Sequence, residues 1–144
     1  MTISPKETPD IDALMSYVLR KYNAEAERLK TTTYRKRPFV QMGEESLIPK
    51  AEAEKAGTSS YPSVTSAMGW GLALVLTEVA PDRQNIVLTR GYEYCRSGVI
   101  AGFHYASDMQ AGCLLAAWVF ARLHNDAEFC RLMEKAKAEY EREK

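Results

Sequence analysis

His104 and Asp108 stand four residues apart in the segment Ser97-Gly-Val-Ile-Ala-Gly-Phe-His104-Tyr-Ala-Ser-Asp108. On a helix that spacing sets both side chains on one face, where a carboxylate can orient an imidazole for nucleophilic work. Upstream lie two cations, Lys30 and Arg37, and the hydroxyl of Ser63 in Tyr61-Pro62-Ser63. A histidine with its orienting carboxylate, two cations and a hydroxyl donor are the parts a site needs to attack phosphorus while holding charged ester oxygens.

These residues need elements to position them. Thr8-Pro9-Asp10 reads as an N-cap, a first-turn proline and early acidic charge, and Ile11, Leu14, Met15, Val18, Tyr22 and Leu29 recur at helical spacing. A first helix is therefore expected from Pro9 to about Lys30, with Pro38 barring any continuation. Residues 39–60 read as a long connection with a helical patch at Lys50–Lys55, and such connections are often functional. Apolar helices are expected over Ala67–Ala80, from Pro81-Asp82 to Gly102, and over Ser107–Leu123. A charged amphipathic helix closes the chain, burying Phe129, Leu132, Met133, Ala136 and Tyr140. With no strand-like alternation, the expectation is an all-α compact bundle of five to six helices, one domain over residues 1–144 with a flexible lead at 1–8.

The chain has 144 residues, 46% of them hydrophobic, enough for a core without staples. Nineteen Lys and Arg balance nineteen Asp and Glu, so no long-range field draws nucleic acid or an anionic membrane surface, and any anion site must be local. Three cysteines, Cys95, Cys113 and Cys130, cannot form a full disulfide framework and read as free thiols. No apolar run is long enough to span a bilayer. The compartment stays open: the cytoplasm is the default in the absence of a leader-like segment, and the periplasm is the reading for a mature fragment. His104 and Asp108 alone do not make a zinc site, so no metal or cofactor is expected. Trp70 and Trp118 read as core or interface residues rather than a stacking platform for bases.

The order Lys30-x6-Arg37-Pro38, then Tyr61-Pro62-Ser63, then Ser97-x6-His104-x3-Asp108 resembles the bacterial class A (non-specific) acid phosphatases. These belong to the type 2 phosphatidic acid phosphatase and vanadium haloperoxidase superfamily, whose pattern is K-x6-RP, PSGH and SR-x5-H-x3-D. The likeness runs on through Ala-Leu-Val-Leu-Thr-Glu78, Arg-Gly-Tyr-Glu93 and Ala-Arg-Leu-His-Asn-Asp-Ala-Glu-Phe129. It implies that His104 attacks phosphorus, that Asp108 holds its tautomer, and that Lys30, Arg37 and Ser63 contact phosphate oxygens. It also implies a phosphate or phosphate-monoester ligand and allows a homo-oligomer. Only 29 residues precede Lys30, room for one helix, so the resemblance implies a core lacking the family's N-terminal helices.

The departures from the pattern are as informative. The histidine that protonates the leaving group is Thr65, the glycine before it is Val64, and a phosphate-binding arginine is Gly98. Arg96 is about 200° around a helix from residue 98, and His124 lies in a polar turn, so neither is expected to substitute. A lost general acid costs about 10² to 10⁴ in rate, least for good leaving groups. A lost transition-state donor costs roughly 10² to 10³ more. The expectation is thus a degenerate acid-phosphatase-like protein keeping an oxyanion pocket, with weak vanadate or phosphate binding and little or no phosphomonoesterase activity. The alternatives are a hydrolase using His104 on good leaving groups, and an interaction protein with a vestigial pocket. In the last, Lys30, Arg35, Lys36 and Arg37 are merely a solvated basic helix end.

Overall fold

Prolines mark where the chain turns into helix. In the computed structural model, which describes all 144 residues, Pro9, Pro38 and Pro49 each open an α-helix and Pro81 opens a 3-10 turn. A proline costs no hydrogen bond there, because a first-turn N–H has no intrahelical acceptor. The helices are α1 (Pro9–Lys30), α2 (Pro38–Met42), α3 (Pro49–Lys55), α4 (Val64–Val79), α5 (Gln84–Ile100), α6 (Ala106–Leu123) and α7 (Ala127–Glu143). The all-α architecture is as expected. The count is seven rather than five or six: the helical patch expected at Lys50–Lys55 is α3, and α2 is the further short helix in the connection after Arg37.

Helix α4 is the centre of the bundle, packed along α5 and α6 and touching α1 and α7. Small residues on the helices that face it permit this. A Cβ at Gly112 of α6 would come 2.5 Å from the Ser63 carbonyl, and one at Gly91 of α5 would come 2.5 Å from the Ala73 methyl. Helix α1 buries Ile11, Leu14, Val18, Tyr22 and Ala26, and α7 buries the five residues its periodicity indicated. Trp118, by contrast, is 47% exposed on α6 and is not a core residue.

The start of α1 differs in one detail from the sequence reading. Thr8 occupies the N-cap position of α1 without a side-chain cap bond. The buried Glu139 of α7 instead accepts the Ile11 N–H at 2.7 Å, so the start of α1 is capped across the fold. Within the lead at residues 1–8, Thr8 Oγ1 accepts the Ser4 N–H at 3.0 Å and donates to the Thr2 carbonyl at 3.2 Å. No helix is long and apolar enough to cross a membrane, and the three cysteines are free thiols.

Candidate anion-binding site

One end of the bundle collects helix termini. Lys30 closes α1, Arg37 precedes α2, Ser63 caps α4, Gly98 lies in the last turn of α5, and Asp108 lies in the first turn of α6. His104 does not share a helix with Asp108, as its spacing suggested. It sits in the turn between α5 and α6, which Gly102 opens at a φ of 85°. Lys30, Arg37, Val64, Thr65, Gly98 and His104 line one cleft of about 490 Å³. Asn23, Glu27, Lys55 and Thr58 also line it and were not singled out from sequence. The α4 N-terminus at Val64 and Thr65 adds the positive end of a helix dipole to this wall.

A short strap, Thr58–Ser60, organises the charged groups through the consecutive carbonyls of Ser59 and Ser60. The Ser59 carbonyl accepts from Lys30 Nζ at 2.7 Å and from Arg37 at 3.1 Å, and the Ser60 carbonyl lies 2.8 Å from His104 Nδ1. A carbonyl can only accept, so Nδ1 carries the proton and the neutral ring keeps a bare lone pair on Nε2. Burial, and next the Arg37 charge, hold His104 down to about 4, so the imidazole is neutral from mildly acid pH upward. Burial, and next Arg37, push Lys30 down to about 8.

The remaining expected residues are placed differently. Asp108 Oδ2 is 3.9 Å from His104 Nδ1 and accepts instead from the Tyr105 N–H at 2.7 Å, while Oδ1 pairs with Arg35 at 2.8 Å. At 3.9 Å Asp108 is too far to hydrogen-bond the His104 ring, and the Ser60 carbonyl makes that contact at 2.8 Å. Ser63 is buried and turned into the helix, its Oγ accepting from the Ser66 N–H at 3.1 Å and from the Ser66 hydroxyl at 2.9 Å. Arg37, expected as a bidentate clamp, spends its donors on the Lys55, Phe103 and Ser59 carbonyls and the Thr58 hydroxyl, and contributes to the cleft chiefly as charge. Arg96 is exposed and away from the cleft wall. His124 is committed to Glu78 at 2.9 Å. No group of three or more His, Cys, Asp or Glu side chains is placed to hold a metal ion.

Comparison with known proteins gives a coherent picture. The profile of the PAP2 superfamily matches residues 12–130. The chain is 37% identical over 139 residues to a non-specific acid phosphatase of Providencia stuartii, covering 96% of this chain and 56% of that one. It is 35% identical over 142 residues to an acid phosphatase of Zymomonas mobilis, covering 99% and 54%. A non-specific acid phosphatase of Salmonella typhimurium is 37% identical over 139 residues, covering 95% and 55%. The chain spans about half the length of these curated relatives.

Proposed function

This chain belongs to the PAP2 superfamily, and from that premise we propose that its cleft is a residual phosphate or oxyanion pocket with little or no phosphomonoesterase activity. The observation that carries this reading is the composition of the cleft wall. Lys30, Arg37 and Lys55 supply positive charge and His104 supplies an unprotonated nitrogen, with Thr65 and Gly98 where the family pattern has its acid and its further cation. Attack by His104 Nε2 on phosphorus would leave the departing alkoxide without a proton, and one fewer charge would offset the developing negative oxygens. An anion can still bind, through the Lys30 ammonium and the charge of Arg37.

One observation favours the second reading, a hydrolase restricted to good leaving groups. The Nδ1–H tautomer, fixed by Ser60, is the one in which Nε2 can attack. An activated phenolate departs without protonation, so the missing acid would not prevent its release.

The binding half of the proposal is tested by calorimetric titration of inorganic phosphate and of orthovanadate into the protein and its Lys30→Met variant near pH 7. Saturable binding weakened at least about tenfold in the variant is expected, the loss of one charge-assisted contact. Equal binding in both, or none in either, would count against an anion pocket at this end of the bundle.

A further inference from the structure

We infer that Arg35 is the positioning residue of this site: by holding the buried Asp108 carboxylate it leaves His104 to the Ser60 carbonyl, and so keeps the imidazole neutral with Nε2 bare. The inference rests on reading His104 as the group that meets phosphorus.

Arg35 grips both structures that bracket His104. Its main chain holds the strap: the Arg35 carbonyl accepts the Ser60 N–H at 2.9 Å, and the Arg35 N–H donates to Ser59 Oγ at 3.1 Å. Its side chain holds the start of α6. One guanidinium nitrogen donates to Asp108 Oδ1 at 2.8 Å and to Ser107 Oγ at 2.6 Å, and the group stacks 3.9 Å from the centroid of the Tyr105 ring. Asp108 is fully buried, so its charge requires compensation.

The groups around His104 make the consequence specific. Lys30 from α1 and Arg37 before α2 oppose protonation of the ring, and Asp108 from α6 favours it. Gly98 from α5 brings no charge, the strap presents the Ser60 carbonyl, and Glu27 and Lys55 stand elsewhere on the same cleft wall. Removal of the Arg35 guanidinium leaves a buried carboxylate whose Oδ2 is 3.9 Å from His104 Nδ1. A carboxylate left unpaired at that distance favours a proton on the imidazole, which blocks Nε2.

The test is a long-range proton–nitrogen correlation titration of the full chain, read at His104, with His124→Gln assigning the two histidines. The protein should show the Nδ1–H tautomer and an acidic midpoint. Arg35→Gln should raise that midpoint by at least about one pH unit, a tenfold change in proton affinity. Adding Asp108→Asn should bring it back. A folded Arg35→Gln protein titrating within about 0.3 unit of the parent would overturn the inference. Should Arg35→Gln fail to fold, Asp108→Asn alone decides: retention of the Nδ1–H tautomer supports the Ser60 anchor, and a switch to Nε2–H overturns it. The readout needs no turnover, so failure of the hydrolase reading and failure of this inference remain separate results.

Discussion

The His104 ring lies against Gly98, where a Cβ would stand 2.9 Å from the imidazole Cδ2. The absence of a side chain at residue 98 lets the ring settle against the last turn of α5 while reaching the Ser60 carbonyl. The position therefore shapes the site.

Gly98→Ala should accordingly destabilise the protein by roughly 1 to 3 kcal/mol, as overpacking does. At an open helix position the same change would stabilise by up to about 1 kcal/mol. Thermal and urea unfolding decide the sign.

The neutral state of His104 makes stability depend on pH. The unfolded imidazole titrates near 6.5 and the folded one at about 4, so between those values the unfolded chain binds a proton that the folded chain does not. Stability therefore falls as pH drops through that window, by a total on the order of 3 kcal/mol. Urea midpoints at pH 7 and 4.5 should diverge more in the parent than in His104→Gln.

Lys30 sets the opposite limb for the ligand. With its ammonium titrating at about 8, the charge is present below that pH and lost above it. Phosphate affinity should fall steadily from pH 7 to pH 9.5 in the parent. The fall should be absent in Lys30→Met, by calorimetry at constant ionic strength.

Glu139 supports the site's frame from the far end of α1. Glu139→Ala leaves the Ile11 N–H without its acceptor, and a loss of roughly 1 to 3 kcal/mol is expected in urea unfolding.

What was legible in the sequence follows from the range of the forces involved. Helix periodicity and first-turn prolines act locally, so α1, α4 and α7 and the α7 stripe could be read directly. The residues around the cleft could be named because motif order survives in one dimension. Hydrogen-bond allegiance could not: Asp108 is four residues from His104, yet the choice between His104 and Arg35 depends on a strap more than forty positions upstream. The hydroxyl-rich run Thr58-Ser59-Ser60 before Tyr61-Pro62 was the available signal, since Ser and Thr side chains stabilise turns by bonding nearby backbone. That the key contacts come from its carbonyls, which every residue carries, left nothing in residue identity to find. The turn of Ser63 Oγ into its own helix is likewise a choice between two legitimate roles, accepting at an N-cap and donating to a ligand.

The most direct measurement compares steady-state hydrolysis of 2,4-dinitrophenyl phosphate and of an alkyl phosphate by the parent and His104→Ala, from pH 4 to 8. The account predicts alkyl phosphate rates that do not differ between the two proteins, with any His104-dependent turnover confined to the dinitrophenyl ester. Alkyl phosphate turnover that disappears with His104 would mean that the cleft supplies a proton donor after all, and would contradict the account.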